Sequence, residues 1–401
     1  MAQFQENGPF AVNSPGVVTM NPWAWNRKAN VVWIESPAGV GFSYSNTTSD
    51  YSVGDARTTA DAVAFLQRFL FEYFPQHQAA AVWTTGESYG GHYVPLFTLA
   101  AFNTRSSARP INIKGMMVGN AWTDAANDNA GALEMWWTHA IIDRDSVDAV
   151  TAACNLSDIG PLTVQANQQQ QQRAAAVSCS HAVNYVQSVA FADIDIYDLL
   201  VDNCNVNTVV AMRTVEALSA AGSVAHRILA GAAKQQREQQ QQQQQKKRQF
   251  DPCSANNLEP YLNDPTVQAA LNAIVGTQWS MCSSVVDYER KSVLTSMLPV
   301  YQKLFQAGVH VMIYSGDIDG IVPVLGTLKN VAALKRPVKT SWRSWYVTDQ
   351  YGKQVGGFVT VYDKFTFATV RGAGHMVPEY RPQRAFVMFE GFLHNQTLPT
   401  H

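Results

Sequence analysis

Between Asn30 and Trp122, short apolar runs alternate with longer stretches of helical period. "NVVWIES" (30–36) reads as a strand running into a Pro-Ala-Gly turn. In "DARTTADAVAFLQRFLFEYFP" (55–75), Ala60, Val63, Leu66, Phe69 and Leu70 fall on one face. That spacing predicts an amphipathic helix starting near Asp55 and stopping at Pro75. "AAVWTTG" (80–86) is the next strand, "YVPLFTLAAF" (93–102) the next helix and "IKGMMVGN" (113–120) a further strand. The strand–helix alternation predicts a parallel sheet with covering helices.

From about Asp124 to Pro265 the pattern changes. Helical pieces such as "DSVDAVTAACN" (145–155) sit among the glutamine runs 168–172 and 239–245, the second followed by Lys246–Arg248. Such tracts carry too little apolar surface to pack, so disordered loops are expected there. The α/β rhythm then returns. "SVLTSMLPVYQKLFQAG" (292–308) predicts one helix, and "VHVMIYSG" (309–316) is the continuous apolar strand of a buried parallel sheet. "SWRSWYV", "GGFVTVYDKFTFATV" and a last helix near Arg384–Leu393 follow. The expected organisation is an α/β core in two parts, 1–123 and 266–401, interrupted by a helical insertion over 124–265.

Composition narrows the function classes. A net charge of −2 gives no electrostatic reason to expect nucleic acid or an anionic membrane as partner. No apolar run reaches the roughly 18 residues that a membrane helix requires. The start, "MAQFQENGPF", lacks the basic and apolar stretches of a secretory signal, which taken literally points to cytoplasm. Glycosylation sequons at Asn46, Asn155 and Asn395 point the other way. Cys154, Cys179, Cys204, Cys253 and Cys282 are dispersed, with no C-x-x-C and no clustered His, so no metal site is expected. Five free thiols and a disulfide set with one cysteine left over both remain open at this point.

Gly86-Glu87-Ser88-Tyr89-Gly90 fits G-x-S-x-G, a strand-to-helix elbow that exposes a serine oxygen above a parallel sheet. Glycines are expected at both ends because a side chain on either would collide in so tight a turn. A serine of ordinary pKa needs a base, and the base needs an orienting acid. "YSGDIDGIVP" (314–323) leaves a buried strand with Asp317 and Asp319, and "RGAGHMVP" (371–378) places His375 in a tight loop after the last strands. Taken singly, these are a turn and an ordinary loop histidine. Taken together they stand in the order Ser, Asp, His, each at a strand exit.

The blocks "ENGPF", "SPAGVGFSYS", "GESYGGHYVP", "GNAWTD", "YSGDIDGIVP" and "GAGHMVP" resemble, in order, those of the serine carboxypeptidases, α/β-hydrolases that remove C-terminal residues from peptides. The resemblance runs from Glu6 to Pro378. It implies an α/β-hydrolase fold with a triad of Ser88, His375 and Asp319, and makes Asp317 supporting structure. Tyr89 would give an oxyanion N–H, and Glu87 and Glu6 would grip the substrate's terminal carboxylate. Two carboxylates can share a hydrogen bond only with a proton between them, so binding at acid pH is expected. No cofactor is implied. The expected partners are peptide or protein C-termini and a second copy in a homodimer, in the lysosome, vacuole or secreted.

Relatives also carry a W-L-N-G-G-P-G-C-S-S segment upstream of the E-x-G-P block. This sequence starts a few residues before Glu6, so the first strands, a carboxylate-binding Asn-Gly pair and the second oxyanion donor are expected to be missing. Losing one such donor typically costs roughly 10²–10³ in kcat. The resemblance pairs Cys204 with Cys253 and Cys154 with Cys179. It leaves Cys282, in "WSMC", without its partner. A cut near Lys246–Arg248 would then leave two chains joined by Cys204–Cys253. The competing readings are an acyltransferase on the same scaffold and an inactive homologue that binds peptides or proteins.

Overall fold

The computed structural model describes residues 2–14, 16–162, 174–191, 193–204 and 252–400. Both glutamine runs and Lys246–Arg248 lie outside the described residues. Strands β1 (Phe10–Ser14) and β2 (Val17–Met20) form a hairpin, and β3 (Ser52–Val53) pairs in parallel with β6 (Asp287–Tyr288). The central sheet holds β4 (Val82–Glu87), β5 (Ile113–Gly119), β7 (His310–Gly316), β8 (Val338–Asp349), β9 (Gly352–Tyr362) and β10 (Phe365–Val370). Their lateral order is β4-β5-β7-β10-β9-β8. The first four run parallel, β9 pairs antiparallel with β10, and β8 pairs antiparallel with β9.

The alternation of side chains along these strands builds two cores. Met116 and Val118 of β5, with Val311 and Ile313 of β7, face helices Asp55–Arg68, Gly90–Asn103 and Leu298–Gln306. Met117, Met312 and Tyr314 face the opposite way, onto helix Pro382–Leu393 through Phe386, Met388 and Phe389. Because β7 is covered on both sides, Val311, Met312, Ile313 and Tyr314 are each at most 2% exposed. Burying each contributes about 1.5–3 kcal/mol. That double coverage is why β7 reads as an unbroken apolar run.

Three sequence expectations are corrected. Residues 30–36 form no strand, although exposure alternates there, with Val32 and Ile34 outward at 45% and 41%. An extended segment becomes a strand only by laddering to a neighbour, and β4 is the edge of the sheet among the described residues. The segment is held instead by side chains, such as Trp33 Nε1–H donating to Asn7 Oδ1 at 2.8 Å. The helix expected over 292–308 is two helices, Arg290–Leu294 and Leu298–Gln306. Pro299, lacking an N–H, opens the second helix, and Met297 N–H leaves the helical path to bond Thr123 O at 2.8 Å. The helix begun at Asp55 buries Leu66 and Leu70 but leaves Ala60 exposed, and it buries Asp55 and Thr58 instead.

Candidate active site

Each of the four adjacent parallel strands delivers one polar residue at its C-terminal end. Ser88 follows β4, Asn120 follows β5, Asp319 follows β7 and His375 follows β10. In an open α/β sheet, ligand sites lie outside these strand ends. Residues far apart in the chain thus meet because parallel strands end on one rim.

The elbow is held by its backbone. Ser88 has φ 62, a left-handed conformation that costs a non-glycine residue about 1–3 kcal/mol. Ser88 N–H donates to Gly119 O at 3.1 Å, while Ser88 O accepts from Gly91 N–H at 2.9 Å and Trp122 N–H at 3.0 Å. The glycine expectation is half right. A Cβ on Gly86 would lie 2.7 Å from Val94 Cγ2, but one on Gly90 would meet nothing nearer than 3.8 Å. The tight position is Gly91, where a Cβ would lie 2.1 Å from Trp122 O. Neither Ser88 Oγ nor Tyr89 N–H has a hydrogen-bond partner among the described residues.

His375 Nδ1 lies 2.8 Å from Asp319 Oδ2, and the two residues are 3% and 0% exposed. A carboxylate is acceptor-only, so Nδ1 carries the proton and Nε2 is left free to act as a base. Asn120 Nδ2 donates to the same Oδ2 at 2.6 Å, and Ile321 and Val322 N–H donate to Oδ1 at 2.8 and 3.2 Å. Asp317 accepts from Gly372 N–H at 2.5 Å and so ties the acid loop to the histidine loop. A strap around Tyr197 joins the same loops. His375 N–H donates to Tyr197 O at 2.7 Å, Gly320 N–H to Ile196 O at 2.9 Å and Leu199 N–H to Ile318 O at 3.1 Å.

Beside this pair three glutamates gather. Glu6 is 8% exposed, and its carbonyl accepts from Asn21 Nδ2 at 3.0 Å. Glu87 Oε2 is sealed from solvent with no hydrogen-bond partner among the described residues. Glu379 accepts from Ser254 Oγ at 3.1 Å. Burial, with the neighbouring charges of Glu6, Asp319 and Glu379, pushes the Glu87 pKa well above the carboxylate range. Burial also raises Glu6, and burial with Glu6 alongside raises Glu379 to about 8. Such a cluster stays partly protonated in weak acid and can then donate hydrogen bonds as well as accept them.

Motif reading did not anticipate Asn120 or Glu379. Asn120 sits in "GNAWTD" at a strand exit, and Glu379 lies one turn beyond His375 in helix Val377–Tyr380. Those positions were the only signals. Cys154–Cys179 and Cys204–Cys253 are bridged in the structure, while Cys282 is free and exposed. The sequon residues Asn46, Asn155 and Asn395 are exposed. Among the described residues no His, Cys, Asp or Glu group is arranged to hold a metal ion.

A mostly parallel sheet with a serine elbow, and an acid and a histidine on successive strand exits, defines the α/β-hydrolase fold. The family model "Serine carboxypeptidase" matches residues 1–395, and the chain belongs to that family. It is 38% identical over 402 residues to serine carboxypeptidase 24 of Arabidopsis thaliana, covering 98% of this chain and 79% of the relative. It is 33% identical over 404 residues to P-(S)-hydroxymandelonitrile lyase of Sorghum bicolor, covering 100% of this chain and 72% of that protein. Among solved structures, Kex1(delta)p, a prohormone-processing carboxypeptidase from Saccharomyces cerevisiae, matches with TM-score 0.74 at 18% identity. That match covers 98% of this chain and 80% of the other, and it is a likeness of fold.

Proposed function

We propose that the protein is a serine-type carboxypeptidase acting on peptide and protein C-termini in weak acid. Ser88 Oγ attacks the last peptide carbonyl, giving up its proton to His375 Nε2, and Asp319 holds the imidazole in the required tautomer. The imidazolium then protonates the leaving amine, and water cleaves the acyl-enzyme by the same route in reverse. Tyr89 N–H faces the oxyanion, and Glu87 and Glu6 receive the free terminal carboxylate. The observation that carries this reading is the pairing of the His375–Asp319 dyad with buried, proton-holding glutamates. A general esterase has no use for such a cluster, whereas an exopeptidase must recognise a chain end.

Two disulfides fit an oxidising folding environment, and no described helix is long and apolar enough to cross a membrane. Delivery through the secretory pathway, to a lysosome, a vacuole or the exterior, with glycans on the exposed sequons, agrees with both.

The test is a fluorophosphonate probe followed by peptide digestion. Wild type is expected to take label and to release single residues from a peptide with a free C-terminus but not from its amide. Ser88→Ala is expected to do neither. Label without peptide cleavage overturns the carboxypeptidase reading in favour of acyl transfer to another acceptor or of cyanohydrin cleavage, the chemistry in the name of the Sorghum relative. Absence of label in wild type points to a binding scaffold.

A further inference from the structure

The molecule holds a second buried Asp–His pair, and the chemistry proposed at Ser88 does not use it directly. His92 is 0% exposed, its Nδ1 lies 2.9 Å from Asp55 Oδ2, and its Nε2 has no partner among the described residues. Asp55 Oδ1 accepts from the Tyr89 phenol at 3.1 Å and from the Tyr288 phenol at 2.8 Å. Asp55 N–H donates to Ser292 Oγ at 3.1 Å. One buried residue, Asp55, therefore joins the start of helix Asp55–Arg68, strand β6 and the nucleophile helix through its carboxylate. An ionised carboxylate has lone pairs for three converging donors and no competing proton. Burial alone would raise the Asp55 pKa, but the bonds from His92, Tyr288 and Tyr89 outweigh it and hold the carboxyl below its ordinary range.

The residue clamped in this way is the one after the nucleophile. The Tyr89 ring stacks on His92 at 4.7 Å and meets Tyr93 and Tyr288 edge-on at 5.0 and 5.2 Å. Across the planar Ser88–Tyr89 peptide, N–H and C=O point in opposite directions. Gly91 and Trp122 N–H grip the carbonyl from one side, so the N–H is aimed the other way. The remaining freedom is at Tyr89 Cα, and the phenol anchored on Asp55 removes it.

We propose that Asp55 is a positioning residue for acyl transfer at Ser88: through the Tyr89 phenol it holds the peptide whose N–H faces the developing oxyanion. The inference rests on the acyl-transfer reading, and it adds a role for a side chain that lies outside the triad. A donor aimed in advance needs no reorganisation during the reaction, which is the source of oxyanion stabilisation.

The test compares wild type, Tyr89→Phe, Asp55→Asn and the double variant in the full chain. Tyr89→Phe removes one oxygen and leaves the aromatic stack in place. It is expected to slow fluorophosphonate labelling about tenfold, less than the 10²–10³ typical of losing a donor outright. Amide exchange in the peptide covering Thr84–Pro95 is expected to quicken while the melting temperature stays near wild type. Asp55→Asn is expected to act in the same direction, and the double variant to be no slower than the slower single, because both act through one contact. Unchanged labelling and exchange in Tyr89→Phe overturn the proposal, as do additive losses in the double variant. A wild type that takes no label overturns the acyl-transfer reading. Exchange then remains the readout for the clamp, and an unchanged rate in Tyr89→Phe overturns it separately.

Discussion

At the scale of single residues, Asp319 shows how much of a site is made by neighbours rather than by its own chemistry. Its Oδ2 serves His375 and Asn120 together, and its Oδ1 is occupied by two backbone amides, so the carboxylate cannot rotate away from the imidazole. Asn120 itself sits at φ 42, with Oδ1 accepting from Gly316 N–H at 3.1 Å. Asn120→Gly keeps that backbone allowed and removes the side chain with its amide. Steady-state kinetics are expected to show kcat lower by about tenfold, roughly 1.4 kcal/mol of transition-state stabilisation, with KM little changed. The glutamates make a different prediction. Donors held by protonated Glu87, Glu6 and Glu379 disappear as pH rises through their raised pKa values. KM for a peptide with a free C-terminus should therefore be lowest near about pH 5 and climb toward about pH 8. A flat KM over that range removes the glutamates from carboxylate recognition. Ser88, Asp319 and His375 could be picked out because each stands in a short motif at a strand exit. Asn120 also stands at a strand exit, in "GNAWTD", and Glu379 one turn past His375, but nothing in those motifs gives either residue a role, since their part depends on where a side chain points after folding.

At the scale of elements, the site depends on close backbone approach. Helix Gly90–Asn103 packs near the turn after β5 only because Gly91 has no Cβ. Gly91→Ala would place that carbon 2.1 Å from Trp122 O, where no flexible side chain can yield. The helix and the turn must then separate, breaking the bonds from Gly91 and Trp122 to Ser88 O. Gly91→Ala is expected to cost more than about 3 kcal/mol in urea unfolding, whereas Gly90→Ala, whose Cβ would make only an ordinary contact with Val94 at 3.8 Å, should cost under about 1. Equal costs would show that the elbow tolerates rearrangement. The pentapeptide pattern had pointed to Gly90 and passed over Gly91, because spacing records which residue is small but not which one is crowded. The same limit applies to 30–36, where alternation was legible but the absence of a paired neighbour was not.

At the scale of the whole molecule, the sheet separates two apolar cores, and burial raises the pKa of several acids. Glu379 is raised to about 8, Asp128 to about 7 and Asp198 to about 6, in each case first by burial. Asp128 is raised although it accepts from Thr123 and Asp124 N–H at 2.7 and 2.9 Å and from Asn330 Nδ2 at 2.6 Å. Unfolded, these groups would titrate near ordinary carboxylate values, so between about pH 4 and 8 they bind more protons in the folded chain than in the unfolded one. Stability from these groups is full below the unfolded pKa values and is lost as pH rises through the folded ones. The melting temperature is expected to fall between about pH 5 and pH 8, and Glu379→Gln should flatten the upper part of that fall. A melting temperature that rises steadily to pH 8 contradicts the burial of these acids.

The sequence alone determined the class of the protein. The periodicity of its apolar runs set a parallel α/β sheet, and ordered motifs at strand exits marked Ser88, Asp319 and His375, because local propensity and short turns are written in neighbouring residues. Tertiary structure decided the rest. It set which glycine is crowded, that Asn120 and Asp319 meet across 199 positions of chain, that Glu379 joins Glu6 and Glu87, and that buried Asp55 holds Tyr89. Those contacts arise where strands and helices distant in sequence end side by side, and the direction of a side chain there is settled only by packing.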